Sequence, residues 1–341
     1  MFYCYCFNVF MNKKKQKVII VLGPTASGKS GIALKLAKQF NGFLISADSR
    51  QVYKQMDIGT NKDPGVWKEG KYYLVGEDSG FKSQEPGKIK EQGLKKKNLE
   101  HSDQIQEYMV DIIEPNQEFS LDDWLKQVKQ IIKDNPSRMP IIVGGTGLYI
   151  SALVNDYQLL DGFDEKLRAR LEKQIEKKGI KALLSEIREI DPGIENKIDT
   201  SNSRRVVRAA EIILKTKKPL EPQVGEGEFE FLQLGIALPR EELYAKIDKR
   251  VDQMMKEGLV EEVKSLIKKG YDCSSSSMSG IGYRQVCQFL NNEINGVEAV
   301  RLVKRDTRRY AKRQLTWFKR DKTIHWIKDY NEANNLVNDF I

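Results

Sequence analysis

Histidine is almost missing from this chain: His101 and His325 are the only two in 341 residues. That scarcity argues against a Ser-His-Asp triad, a His-rich zinc site and an imidazole base. Any proton transfer must therefore fall on carboxylates. Cysteine is also rare, with Cys4, Cys6, Cys273 and Cys287 alone. Cys4-x-Cys6 is too tight for a metal half-site and has no second half, so four free thiols in a reducing cytoplasm are expected. Nowhere do about 18 apolar residues follow one another, so no helix is expected to span a membrane. There is no internal repeat, and no low-complexity tract beyond Ser274-Ser275-Ser276-Ser277.

What is present is charge. Lysine and arginine (57) outnumber aspartate and glutamate (48), for a net charge of +9. A basic balance favours a polyanionic partner, though basic proteins without nucleic-acid partners are common. The sharpest feature is Gly23-Pro24-Thr25-Ala26-Ser27-Gly28-Lys29-Ser30, a complete G-x-x-x-x-G-K-[ST] loop. An apolar β-branched run (Val18-Ile19-Ile20-Val21-Leu22) leads into it, and a helical pattern (Ile32, Leu34, Leu36, Ala37, Phe40) leads out. In that setting backbone N–H groups and a helix start point at one anion, and Lys29 adds a mobile positive charge. The Ser30 hydroxyl can reach a Mg²⁺ ion bridging phosphate oxygens. The eight residues are thus expected to hold a di- or triphosphate, with Ser30 as metal ligand.

The length has room for two domains, or for one with an insertion. Residues 1–10 are apolar and aromatic, and Lys13-Lys14-Lys15 follows them. A secretory signal has the reverse order, so 1–17 reads as an extension, with Met11 as the expected true start. Residues 18–155 alternate strand and helix, with a strand expected at 109–113, which implies a parallel sheet with helices on its faces. Within them 62–104 is a polar, Lys- and Gly-rich insertion with a hairpin expected around 72–75. Residues 156–227 read as purely helical, in stretches 165–178, 180–189 and 204–217. A strand at 229–238 then returns the chain to the core, and helices over 240–257, 259–269, 282–290 and 297–319 complete it, so 228–330 belongs with 18–155.

Four further blocks carry a family resemblance. They are Ser46-Ala47-Asp48-Ser49-Arg50-Gln51-Val52-Tyr53 running to Asp57-Ile58-Gly59-Thr60; Gly144-Gly145-Thr146-Gly147-Leu148-Tyr149; Arg204-Arg205-Val206-Val207-Arg208-Ala209-Ala210-Glu211; and Gly282-Tyr283-Arg284-Gln285 followed by Thr307-Arg308-Arg309-Tyr310-Ala311-Lys312-Arg313-Gln314-Leu315-Thr316-Trp317-Phe318. With the phosphate loop, in this order, they closely resemble the bacterial tRNA isopentenyl transferases, the tRNA dimethylallyltransferase family, from about residue 18 to residue 326. The resemblance implies a P-loop NTPase-like α/β fold with an inserted all-helical domain that grips the anticodon stem-loop. It implies transfer of a dimethylallyl group from its diphosphate to the exocyclic amine of the adenosine 3′ of the anticodon, with Mg²⁺.

The resemblance also assigns roles. From position alone Asp48, at the end of a strand beside the loop, is equally a general base and a magnesium ligand; the Asp-Ser-Arg-Gln match makes it the base. Thr146 is implied as a hydroxyl donor near the diphosphate or the incoming base. Asp48, Ser49, Arg50, Gln51, Arg204, Arg205, Val206, Val207 and Arg208 are implied as tRNA contacts. The helix expected from 297 brings nine Lys or Arg against two Glu or Asp between 296 and 320. Its spacing puts Val300, Val303, Thr307, Tyr310 and Trp317 inward and Arg301, Arg305, Arg308 and Lys312 on one outer face for phosphate backbone. Where many relatives carry His-His-Leu-Ile-Asp, this chain reads Glu107-Tyr108-Met109-Val110-Asp111, so no imidazole role carries over. No obligate protein partner is expected, and the chain is expected to act as a cytoplasmic monomer. An adenylate isopentenyltransferase would share the loop and Asp48 but has less need of the helical insertion and the basic helix. A P-loop nucleotide kinase would need no prenyl donor, and an RNA-binding protein with a vestigial site would tolerate loss of Asp48.

Overall fold

A computed structural model of the chain describes residues 15–74, 105–158, 164–221 and 224–341. The chain divides into two units, Asn155–Glu226 and the remainder, Met1–Val154 with Gly227–Ile341. The larger unit is built on one sheet of β1 (Gln16–Leu22), β2 (Gly42–Ala47), β3 (Gly65–Lys68), β4 (Lys71–Leu74), β5 (Ile105–Tyr108), β6 (Met139–Gly144), β7 (Phe229–Ile236) and β8 (Ile324–Ile327). They lie side by side in the order β3-β4-β5-β2-β6-β1-β7-β8. Before the second unit the chain forms α1 (Lys29–Gln39), α2 (Leu121–Asp134) and α3 (Gly147–Val154). The second unit holds α4 (Glu165–Arg188), α5 (Ile194–Lys197) and α6 (Ser203–Thr216). After the return strand β7 come α7 (Arg240–Lys256), α8 (Leu259–Lys268), α9 (Tyr283–Leu290), α10 (Gly296–Phe318) and α11 (Tyr330–Phe340).

The centre of the sheet is parallel, as its uninterrupted apolar strands require, because helices cover both faces. β1 pairs with β6 (Ile19 opposite Ile141, Leu22 opposite Gly144) and with β7, while β2 pairs with β6 from Gly42–Met139 to Ala47–Gly144. The whole sheet, however, is mixed rather than parallel: β3 and β4 form a hairpin that adds antiparallel to β5. Its two-residue turn, Glu69-Gly70, has both φ angles positive (51° and 72°), the turn geometry that suits a tight hairpin. The hairpin expected around 72–75 therefore starts earlier, at Gly65; the rest of that insertion, 75–104, lies outside the described residues, as do residues 1–14.

The strand expected at 109–113 is instead β5 at Ile105–Tyr108. Met109 and Asp111 have φ of 66° and 52°, which no strand tolerates. The Asp111 carboxylate turns aside to the sheltered ammonium of Lys62, which also donates to the Asp57 carboxylate and the Tyr53 carbonyl, each at 2.7 Å. β8 and α11 were not anticipated; α11 packs Ala333 and Val337 against the cluster that Ile19, Val21, Leu36, Leu44 and Ile141 form under α1. Burying each valine, leucine or isoleucine of this set contributes roughly 1.5–3 kcal/mol. A second cluster, with Val52, Met56, Leu259, Val263, Tyr283 and Val286, supports the segment after β2. Cys273 and Cys287 are bonded to each other, with Cα atoms 6.0 Å apart, which corrects the expectation of four free thiols. Both pack on this second cluster, which brings them together.

The second unit has its own core of Leu171, Leu183, Ile187, Val206, Ala210 and Ile213. α4 spans the two stretches read from the sequence and breaks between them at Gly179, whose φ is 78°. α6 begins where Asn202 accepts from the Arg205 N–H, as a capping residue should. Among the described residues no helix is long and apolar enough to cross a membrane.

Candidate active site

Three neighbouring parallel strands end together. β1 runs into the phosphate loop at Gly23, β2 into Asp48, and β6 into Gly145-Thr146, so the carboxyl edge of the sheet carries all three sequence signals, where open α/β sheets place their ligands. The edge opens on a cavity of about 860 Å³ lined by Thr25, Lys29, Ser30, Asp48, Arg250, Tyr310 and others.

At the phosphate end, Gly28 adopts φ +87° to aim the first turn of α1 at the cavity, and no side chain caps that helix start. Its first N–H groups are left for an anion. The buried Ser27 hydroxyl has no hydrogen-bond partner in the protein. Lys29 donates to the Pro24 carbonyl at 3.3 Å. Two residues to which the sequence reading assigned no role complete this end. Arg250 of α7 donates to Thr25 Oγ1 at 2.7 Å. Gln314 of α10 accepts from the Thr25 N–H at 3.0 Å and donates to the Gly145 carbonyl at 2.8 Å, so one amide ties the phosphate loop to the Gly145-Thr146 turn. The two cations crowd each other. Burial first, and then Arg250, push the Lys29 ammonium down to about 8, against the upward pull of Asp48 and Asp63. Burial also pushes the Arg250 guanidinium down. Two desolvated cations lining one cavity are poised to take an anion.

At the other end, Asp48 Oδ1 accepts from the Arg50 N–H at 2.8 Å, which fixes the carboxylate and leaves its second oxygen to the cavity. Thr146 Oγ1 accepts from the Ser49 N–H at 3.3 Å, and the Thr146 N–H donates to the Ala47 carbonyl at 3.2 Å. The Tyr310 hydroxyl is hydrogen-bonded to Thr146 and is pushed up to about 12, by burial first and then by Asp48. Trp124 Nε1 donates to the Ser46 carbonyl at 3.0 Å and pins the end of β2 beneath Asp48. Glu107 is buried in the cavity wall and pushed up to about 8, by burial first and then by Asp63 and Asp111.

The residues marked for RNA divide. Ser49, Arg50 and Gln51 line the cavity with Asp48. Arg50 is already engaged, donating to the carbonyls of Ser276 (2.5 Å) and Ser277 (3.3 Å) and to Ser279 Oγ (3.2 Å). Gln51 accepts from Ser46 Oγ at 2.7 Å and donates to the Asn61 carbonyl at 3.2 Å, bracing the 57–61 segment. In the second unit Arg204 and Arg205 are exposed, whereas Arg208 pairs with the buried Glu211 at 3.2 Å, which Arg168 also pairs at 3.0 Å. Val206 and Val207 are core residues, 0% and 3% exposed, so their side chains are not available to a nucleic acid.

The basic helix is rotated from the face the spacing suggested. Arg301 pairs with Glu298 and Arg308 with Asp248, while Arg305, Arg309 and Arg313, at i, i+4 and i+8, line the cavity with Tyr310. Trp317, expected inside, is 38% exposed; Nε1 donates to Ser151 Oγ at 3.0 Å and the ring lies on Gly147. Another contact shapes the wall. Glu262 of α8 accepts from the N–H groups of Asp57 (2.9 Å), Ile58 (2.7 Å) and Gly59 (3.2 Å) and from the Tyr283 hydroxyl (2.6 Å). A Cβ on Gly59 would meet the Tyr283 ring at 2.3 Å. Gly59→Ala is therefore expected to lower stability by about 1–3 kcal/mol, since a packed ring must move. Urea unfolding checks this; an unchanged midpoint would show that the wall yields freely.

This chain matches the IPP transferase family over residues 92–321. It is 39% identical over 331 residues to the tRNA dimethylallyltransferase of Acetivibrio thermocellus, covering 94% of each chain. It is 40% identical over 332 residues to that of Caldanaerobacter subterraneus subsp. tengcongensis, covering 94% of this chain and 95% of that one. Among solved structures it is similar to the full-length tRNA isopentenylpyrophosphate transferase of Bacillus halodurans, with 32% identity, TM-score 0.62, and coverage of 96% and 95%. A eukaryotic dimethylallyltransferase acting on tRNA superposes with TM-score 0.73 at 25% identity, covering 95% of this chain and 79% of that one.

Proposed function

The chain belongs to the IPP transferase family, and from that premise we propose that its cavity moves a dimethylallyl group from dimethylallyl diphosphate to the exocyclic amine of the adenosine 3′ of the anticodon in tRNA. The observation that carries this reading is the meeting of the phosphate loop and Asp48 on one cavity at the carboxyl ends of neighbouring strands, with Thr146 held behind Asp48 by the Ala47 carbonyl and the Ser49 N–H. The diphosphate lies against the Gly28-to-Ser30 helix start, with Lys29 and Arg250 about it. The amine nitrogen attacks C1 of the dimethylallyl group while the C1–O bond breaks; pyrophosphate leaves with the bonding pair, and the amine proton passes to Asp48. An adenine amine is a weak nucleophile because its lone pair is delocalised into the ring, and a carboxylate that accepts its hydrogen bond removes part of that handicap. Charge grows on the departing oxygen where Lys29, Arg250 and the helix start already point, so stabilisation is set before reaction.

Mg²⁺ fits the donors present. Ser30 supplies a hydroxyl on the cavity wall, and hard oxygen ligands suit this ion. Among the described residues no group of three His, Cys, Asp or Glu could hold a metal by itself. Ser30 would hold the ion jointly with the diphosphate, and the ion would neutralise developing charge on the leaving group. The adenosine must leave its stack to reach Asp48, so contacts to flanking nucleotides have to offset the unstacking. Ser49 and the row Arg305, Arg309 and Arg313 supply them at the cavity; Arg204 and Arg205, exposed on the second unit, are proposed tRNA contacts in their own right. The protein acts on tRNA as a monomer, in the cytoplasm.

The test is incorporation of labelled dimethylallyl diphosphate, with Mg²⁺, into unmodified tRNA and into AMP, ADP and ATP in parallel. Label in tRNA alone is the expected result. Label in free nucleotide alone would make this an adenylate enzyme, and ATP hydrolysis with no label anywhere would overturn prenyl transfer.

A further inference from the structure

Near the start of the block Thr307-to-Phe318, one carboxylate stands among arginines. Asp306 of α10 accepts from Arg305 Nε at 2.8 Å on Oδ1 and from Arg284 Nη2 at 3.0 Å on Oδ2; Arg309 Nη1 lies 4.0 Å from Oδ1. Gln285 Nε2 also donates to Oδ2, at 2.9 Å. All three arginines and Asp306 line the cavity. The carboxylate is sheltered, at 13% side-chain exposure, while the three guanidiniums are open at 53%, 38% and 65%. An ordinary ion-pair staple between α9 and α10 would be served by Gln285 and one arginine. Here three like charges are gathered on one sheltered anion, and each keeps N–H donors that nothing in the protein uses up, since a guanidinium has five.

Three guanidiniums this close repel one another, and each long side chain loses rotamer freedom when held. A central carboxylate offsets both penalties in advance, so that an arriving anion meets donors already converged. Planar N–H forks in that arrangement match the tetrahedral oxygens of a phosphate diester. We propose that Asp306 is a positioning residue for RNA: it gathers Arg284, Arg305 and Arg309 into one receptor for a backbone phosphate of the bound RNA. This rests on the reading of the cavity as a tRNA-modifying site and adds to it a residue that touches no substrate.

The proposal opposes simple electrostatics, and that makes it testable. Removing a carboxylate from a cationic surface should, by charge alone, tighten RNA and steepen the fall of log K with log salt. Asp306→Asn keeps the size and an acceptor for Gln285, and is measured for binding to an unmodified anticodon stem-loop across a salt series. The expected result is weaker binding, by about tenfold, with a shallower salt slope because a phosphate contact is lost. KM for the stem-loop should rise in parallel, while turnover at saturating RNA and affinity for pyrophosphate stay within about twofold. Asp306→Glu should recover part of the loss. As a second arm, Arg309→Gln, at an exposed position, should weaken RNA in the wild type and much less in the Asp306→Asn background. Equal or tighter binding by Asp306→Asn, or additive losses in the double variant, overturns the proposal while leaving tRNA modification intact. A wild-type protein that binds no stem-loop overturns both.

Discussion

Asp48→Asn is expected to lower turnover by about 10²- to 10⁴-fold, the range for losing a general base, while affinity for the RNA stem-loop stays within about twofold. Asparagine is nearly isosteric, and its carbonyl can keep the 2.8 Å hydrogen bond from the Arg50 N–H, so the turn after β2 should survive. What asparagine cannot do is take a proton. Single-turnover transfer, with RNA and dimethylallyl diphosphate both saturating, isolates the chemical step from binding. Position alone leaves Asp48 equally suited to ligate Mg²⁺, and the same variant separates the two roles. A lost metal ligand would raise the Mg²⁺ requirement and be partly rescued by more of the ion. A lost base would leave the Mg²⁺ dependence in place and the rate low throughout. Equal losses in RNA affinity and rate would argue against the base.

The parts of this site that could be read from the chain are those written in consecutive residues. The phosphate loop, the segment after β2 and the turn after β6 each lie on one short stretch whose backbone does the work, so order and residue type suffice. Arg250 and Gln314 reach Thr25 from 225 and 289 residues away, and inside their helices they look like ordinary polar positions on amphipathic patterns. Only the crossing of α7 and α10 over the sheet edge turns them inward. The arginine row was misjudged for a related reason. Spacing gives the faces of α10 but not which neighbour claims each, and Asp248 on α7 claims Arg308. β5 was hidden because the buried Gln106 and Glu107 break its apolar signal, whereas 109–113 looks apolar but is bent by two positive φ angles. Val206 and Val207 sit inside a block the family resemblance marked as a whole, although the helical stripe that includes Val206 belongs to a core. Block matches carry structural and functional residues together; burial separates them.

Arg250→Ala is expected to reduce kcat/KM by about 10²- to 10³-fold, since it removes a preorganised charge from the leaving diphosphate and the donor that holds Thr25. Lost activity alone would not distinguish a charge role from local loosening, but the pH dependence does. Lys29 is held at about 8 in the free protein, by burial first and by Arg250 next. A bound diphosphate raises that value, because an opposite charge favours the ammonium. Pyrophosphate affinity should therefore be full below about pH 8 and decline above it, where binding must first take up a proton. In Arg250→Ala a like charge is gone, so Lys29 titrates higher: affinity is weaker everywhere, yet its alkaline decline begins at a higher pH. Calorimetry at pH 8.5 in two buffers of different ionisation enthalpy should show proton uptake on pyrophosphate binding by the wild type and less by the variant. The free ligand's own titration is common to both proteins. A decline that stays in place, or moves to lower pH, would mean that Arg250 and Lys29 do not share one anion, and the loss of rate would then be the loosening of Thr25.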